Sequence, residues 1–246
     1  MLLALLYHRV SSGKYANSLE MMEEHLSYIA KTFPIALPGD PLSLGKIQVC
    51  LTFDDAYYDF YHYVFPLLKK LKLRALLAVP VKYILPTTSI APEKRLRVPY
   101  SLAMEGNTYQ ELAPFCTREE LQEMAGSGSV QIASHSFSHQ NLLAPGIDRI
   151  KEIIISKKIL ESWLGVTIST FVYPLGKFDS SLHAEVKLHY PFAMRIGSAC
   201  NFSWNNHNGL TYRILCDGLQ KKTDRLNCRS FPSHLWFYLL NSIRGR

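Results

Sequence analysis

Short apolar runs of strand length alternate along the chain with stretches whose apolar residues recur at helical spacing. The runs Leu2–Tyr7, Ile47–Phe53, Arg74–Val79, Val130–Ser134, Thr170–Tyr173, Phe192–Ile196 and Tyr212–Cys216 read as buried strands. Ser18–Lys31 sets Leu19, Met22, Leu26, Ile29 and Ala30 on a helical repeat, and further helices are predicted over Tyr61–Leu71, Arg118–Ala125, Ile147–Leu164, residues 181–189 and Ser233–Ile243. Thr117 with Glu120 makes a capping box ahead of one helix, and Gly165 suits the C-cap of another. The alternation predicts an α/β fold with parallel strands. Residues 81–115 break the rhythm. With Pro86, Pro92, Pro99 and Pro114 among charges and aromatics, this stretch reads as a long insertion, either a groove wall or a mobile surface excursion.

Composition narrows the picture. The 246 residues are 48% hydrophobic and 19% charged, which supports a sizeable core and excludes a disordered chain. No repeat or linker divides them, so a single domain over residues 1–246 is expected. The 27 basic and 20 acidic residues leave a net charge of +7. Clusters such as Lys69-Lys70-Leu71-Lys72 and Lys94-Arg95-Leu96-Arg97 come without a nucleic-acid motif, so a solvated surface is the expectation. No apolar run is long enough to span a bilayer. Met1–Leu6 has the apolarity of a signal core but lacks its flanks and runs into Tyr7-His8-Arg9, so it reads as a first strand. A cytoplasmic or membrane-peripheral location is expected, with extracytoplasmic action left open. Five widely spaced cysteines without a C-x-x-C argue against a disulfide scaffold or a structural zinc site.

The chemistry gathers at predicted strand ends. Asp54 and Asp55 close the second strand, where two adjacent carboxylates raise each other's pKa unless a cation compensates. An Asp pair is also a common helix cap. His135 and His139 follow the strand Val130–Ser134. Their i, i+4 spacing lets both imidazoles reach one metal if the backbone turns helically. One carboxylate and two histidines leave open positions on a first-row metal. The glutamate of H-E-x-x-H is absent, so the general base has to come from elsewhere, and the second aspartate of the pair is the candidate.

Thr52-Phe53-Asp54-Asp55, Ser134-His135-Ser136-Phe137-Ser138-His139 and Phe171-Val172-Tyr173-Pro174-Leu175-Gly176, in that order, resemble the motifs of the polysaccharide deacetylase family (NodB homology, carbohydrate esterase family 4). The resemblance runs from near the N-terminus to Tyr212-Arg213-Ile214. It implies an incomplete (β/α)7-type barrel and metal-dependent removal of N-acetyl groups from a glycan, usually with zinc. Residue by residue, it makes Asp54 the base and Asp55, His135 and His139 the metal ligands. It gives the Tyr173 backbone N–H to the oxyanion and makes Leu142 the apolar residue past the second histidine.

The chain departs from the family pattern in places. Ala56 stands where glycine is usual, and Val172 where many members carry an arginine that orients the base. Arg213 can substitute for that arginine, although Tyr212 replaces the proline usual before it. The family's C-terminal acid histidine has no clear counterpart, and His234 matches it poorly. Tyr7-His8 instead resembles the strand end of a subgroup with circularly permuted motifs, as in deacetylases of poly-β-1,6-N-acetylglucosamine, which makes His8 the candidate acid. Barrels of parallel strands build their sites at the carboxyl ends of the strands, where His8, Asp54, His135 and Tyr173 all fall. Hydrolysis of another small amide, a catalytically impaired glycan-binding relative and a non-haem iron oxygenase remain as alternatives. Tyr57, Tyr58, Tyr61 and Tyr63 suit either sugar stacking or core packing.

Overall fold

A computed structural model describes residues 1–243; the last three residues of the expected 1–246 domain lie outside the described residues. Seven strands form a closed, all-parallel barrel: β1 (Leu2–Tyr7), β4 (Gln48–Phe53), β5 (Ala75–Val79), β6 (Val130–Ser134), β7 (Thr170–Val172), β8 (Phe192–Ile196) and β9 (Thr211–Leu215). They follow one another in that order around the ring, and β9 pairs with β1 to close it. A two-residue parallel pair, β2 (Arg9–Val10) with β3 (Ala16–Asn17), sits above β1. The expected seven-stranded barrel is present. Its seam is thinnest between β6 and β7, which share the single register pair Ser134↔Phe171.

Strand periodicity sorts side chains into two cores. Leu2, Ala4, Cys50, Leu76, Ala78, Ala133, Val172 and Met194 fill the barrel interior. The alternate positions, among them Leu3, Leu5, Tyr7, Val49, Leu51, Phe53, Ile132, Phe171 and Ile214, pack outward against the helices. Continued past the strand ends, the inward parity reaches His8, Asp54, His135 and Asp217, and within β9 it includes Arg213.

The helices cover the outer face. They are α1 (Leu19–Thr32), α2 (Phe65–Leu71), α6 (Arg118–Gly126), α7 (Ser156–Leu164), α8 (Ser180–His189) and α9 (Phe231–Ile243). Ser18 caps α1 by accepting from the Met21 N–H, and Met22, Leu26 and Ile29 form its buried stripe. The capping box of Thr117 and Glu120 is formed, and Gly165 ends α7 in the left-handed conformation. Short π-helical turns, Phe60–Val64 and Ile150–Ile155, lead into α2 and α7, where uninterrupted helices were expected.

The insertion holds more structure than its prolines suggest. Three one-turn helices, α3 (Pro92–Leu96), α4 (Tyr100–Ala103) and α5 (Thr108–Leu112), lie between β5 and α6. Arg95 ties them down. Its guanidinium makes a two-pronged contact with Glu120 (2.6 and 2.9 Å), donates to the carbonyls of Ala113 and Phe115, and lies 3.4 Å over the Tyr58 ring. Tyr57 and Tyr58 are buried, with Tyr57 stacked on Phe115, so for these two the core-packing reading holds.

Candidate active site

The Asp pair sits where β4 leaves the barrel. The Asp54 N–H still donates to the Tyr7 carbonyl, so Asp54 keeps the strand's inward parity. Asp55 and Ala56 then both take left-handed backbone (φ 69° and 54°), which swings the second carboxylate beside the first. Ala56 accepts this conformation although glycine would hold it without steric cost. Ser136, His139 and Leu175 also have positive φ. Backbone held in sparsely populated regions gathers at functional sites when the surroundings over-determine it.

Arg213, fully buried, faces Asp54 from β9. Its two terminal nitrogens donate to the two carboxylate oxygens at 2.6 and 2.9 Å. Burial, the largest single influence, would raise the Asp54 pKa, but the charge and hydrogen bonds of Arg213 together with the fields of His135 and His8 outweigh it and hold the carboxyl well below the usual range. The arginine missing at Val172 is thus supplied by another strand.

Asp55 is 1% exposed, and neither of its oxygens receives a hydrogen bond among the described residues. Its neighbours are imidazoles. His139 Nε2 lies 3.3 Å and His135 Nε2 3.7 Å from Oδ1, without hydrogen-bond geometry. His135 Nδ1 is 2.8 Å from the Val172 carbonyl, an acceptor, so that nitrogen carries the proton and Nε2 keeps its lone pair. Burial, the largest influence, lowers the His135 pKa to about 4 despite the nearby carboxylates, so the ring is neutral near pH 7. A lone pair and a carboxylate oxygen facing each other in a buried site repel unless a cation lies between them. One ligand atom each from Asp55, His135 and His139 falls within 4.8 Å of the others. The donor set therefore fits a divalent metal.

The loop carrying the histidines is pinned by a group that the motifs do not point to. Glu152, buried, accepts from the N–H groups of Phe137 (3.0 Å) and Ser138 (2.9 Å) and from the Ser138 hydroxyl. The Ser136 hydroxyl oxygen accepts from the His139 N–H.

His8 stands on the other side of the site. Its Nδ1 is 2.6 Å from Asp217 Oδ2, and its backbone N–H donates to Asp217 Oδ1. Burial opposes protonation of His8, yet the Asp217 hydrogen bond and the fields of Asp54 and Asp55 together lift its pKa to about 9. Asp217 escapes a search for motifs; its one sequence signal is an acidic residue on the inward parity, two positions past the end of β9. Tyr15 and Tyr100 flank His8, with ring centroids 5.5 and 6.4 Å away, so the insertion contributes a wall of the site.

Tyr173 requires a correction. Its N–H donates to the Met194 carbonyl at 3.0 Å and is committed to the ladder between β7 and β8. Its side chain has the outward parity and reaches His183 on α8 (2.8 Å). Neither the N–H nor the hydroxyl faces the metal ligands. The Leu175 N–H, two residues on in the same turn, takes part in none of that turn's hydrogen bonds among the described residues. His234 lies on α9, with its ring nitrogens against the carbonyls of Ser198 and Arg225, a structural position.

Comparison with known proteins agrees with this fold. The polysaccharide deacetylase family model matches residues 43–190, more than half of the chain, and the chain belongs to that family. The matched segment contains Asp54, Asp55, His135 and His139, but not His8, Arg213 or Asp217. YxkH of Bacillus subtilis (strain 168), named as a polysaccharide deacetylase, is 28% identical over 201 residues, 76% of this chain and 61% of that protein, so the chain spans less than two thirds of this relative. Among solved structures, BA0330 of Bacillus anthracis superposes with a TM-score of 0.73 at 19% identity, covering 95% of this chain and 68% of that one. The deacetylase PplD of Streptococcus pyogenes, solved with acetate, gives 0.71 at 20% identity, covering 92% and 96%. At these identities the structural matches speak to the barrel alone.

Proposed function

We propose that the chain is a metal-dependent deacetylase that hydrolyses N-acetyl groups of a glycan. Asp55, His135 and His139 would hold the metal, and zinc suits two neutral imidazoles and one carboxylate. When bound, it supplies Lewis acidity to the acetyl carbonyl and acidifies the attacking water.

The chain's own groups divide the remaining work. Asp54, ionised and oriented by Arg213, takes the proton from the attacking water. Its depressed pKa makes it a weak base, so it depends on a nucleophile already acidified. The Leu175 N–H replaces Tyr173 as the donor for the oxyanion. His8, protonated at neutral pH through Asp217, delivers a proton to the departing amine. The Asp54–Arg213 and His8–Asp217 pairs push a base and an acid in opposite directions, as acid–base hydrolysis requires.

The observation that carries this reading is the buried Asp55 carboxylate, which has no hydrogen-bond donor among the described residues and faces the lone pair of His135. The test is release of free amine from N-acetylglucosamine oligomers before chelation, after it, and after zinc is restored. Release that disappears with chelation and returns with zinc is expected. A zinc-loaded protein that frees no amine from any acetylated glycan would sink the proposal. Turnover confined to small cyclic amides would move the activity to another C–N bond.

A further inference from the structure

The helix α9 is built inside out. His234, Tyr238 and Asn241, spaced i, i+4 and i+7, form the face turned to the barrel. The His234 ring nitrogens lie 3.2 Å from the Ser198 carbonyl and 3.0 Å from the Arg225 carbonyl. Asn241 donates to the Gly197 carbonyl at 2.9 Å, and the Tyr238 ring meets Phe202 edge-on. The opposite face is apolar and open. Leu235, Trp236, Phe237, Leu239 and Ile243 are all exposed, Trp236 at 59% and Ile243 at 83%. A helix packed on a water-soluble core shows the reverse arrangement, and a contiguous apolar patch of this kind marks an interaction surface.

Charge identifies what covers it. The helix Phe231–Ile243 contains no Asp, Glu, Lys or Arg. The sequence that flanks it is strongly basic. Residues 221–246 hold six of the chain's 27 basic residues and one of its 20 acidic ones, so five of the seven net positive charges lie in this segment. Lys221, Lys222, Arg225 and Arg229 are exposed ahead of the helix, and Arg244 and Arg246 follow it in sequence. At thirteen residues the helix is too short to cross a bilayer, and no helix among the described residues is long and apolar enough to do so. A tryptophan-bearing apolar face between basic flanks matches a helix lying in the headgroup layer of an anionic membrane. A second copy of the chain fits worse, because an isologous contact would set the two basic segments against each other.

We propose that α9 docks the enzyme on an anionic lipid surface, with Leu235, Trp236, Phe237 and Leu239 entering the acyl boundary and Lys221, Lys222, Arg225 and Arg229 engaging the headgroups. The inference is independent of the deacetylase reading. The experiment is flotation of the whole chain with vesicles of phosphatidylcholine, with and without phosphatidylglycerol, alongside sedimentation without lipid. Wild type floats with the anionic vesicles and binds neutral ones more weakly. The double variant Trp236→Glu, Phe237→Glu loses at least about tenfold in partitioning and keeps the wild-type melting curve, because both side chains are exposed. Arg225→Gln with Arg229→Gln weakens binding to the anionic vesicles and flattens its salt dependence. Wild type that fails to float with the anionic vesicles overturns the proposal. So does flotation untouched by the double variant, or a dimer in the lipid-free run that this variant dissociates.

Discussion

Two aspartate–arginine pairs stand at opposite ends of the barrel. At the carboxyl end, Asp54 and Arg213 meet through two hydrogen bonds, with 3% and 0% of their side chains exposed. At the amino end, Asp40 and Arg74 meet through one bond of 2.5 Å, with 31% and 43% exposed. A cavity of about 310 Å³ opens beside the second pair, walled also by Gln131 and Thr167, but no histidine or second carboxylate lines it. Contact length does not separate the two pairs. Water does: it solvates either partner of the outer pair if the other is lost, whereas the inner pair is closed off from it. The inner pair also sits where two strand ends bring unsatisfied acceptors together. The inner pair therefore presents an oriented, buried carboxylate beside the histidines, while its outer counterpart stays at the surface.

The largest difference between the two is expected in catalysis. Asp54→Asn should lower amine release by about a thousandfold while zinc content is retained, whereas Asp40→Asn should stay within about twofold of wild type. Steady-state kinetics with metal analysis reads both, and equal effects would erase the distinction.

In stability, Arg213→Met strands a buried carboxylate and should cost about 3–5 kcal/mol. Arg74→Met should cost less than about 1 kcal/mol. Urea unfolding of the two variants compares them directly.

The His8–Asp217 pair sharpens the comparison through pH. His8 is lifted to about 9, so the acid is protonated below that value and lost as pH rises through it. Stabilisation from the same pair is complete below the unfolded histidine pKa of about 6.5 and likewise fades as pH rises through about 9. The basic limb of the kcat/KM profile should therefore lie near 9, and Asp217→Asn should move it down toward the ordinary histidine range. A limb that stays in place would remove His8 from the acid role. The smallest effect is expected from Ala56→Gly, which relieves a left-handed alanine and should add at most about 1 kcal/mol without changing turnover.

Much of this was legible in the residues. All seven strands lie within a residue or two of their expected limits, because each is a buried run with clear breaks. Asp54, Asp55, His135 and His139 could be singled out because each pair is local, and the period-two pattern explains why Asp54 and His135 point inward. The short helices of 81–115 were not visible, since one-turn helices are held by contacts such as those of Arg95 and not by a repeat of their own. Tyr173 misled for a related reason: a motif names a residue but not where its N–H is spent.

The sequence by itself determined the barrel, the inward parity of its strands and the local Asp and His pairs, because alternation and short spacing are properties of neighbouring residues. Only the tertiary structure decided who meets whom across the ring. Closure of β9 against β1 brings Arg213 to Asp54 across 159 positions and Asp217 to His8 across 209. Which strand lies beside which is set by packing of the whole chain, so no local pattern could assign Asp54 its arginine or His8 its carboxylate. The reversed faces of α9 came from the same source: the helix was readable from its residues, but which side meets the barrel is settled by the carbonyls of Gly197, Ser198 and Arg225 that wait there.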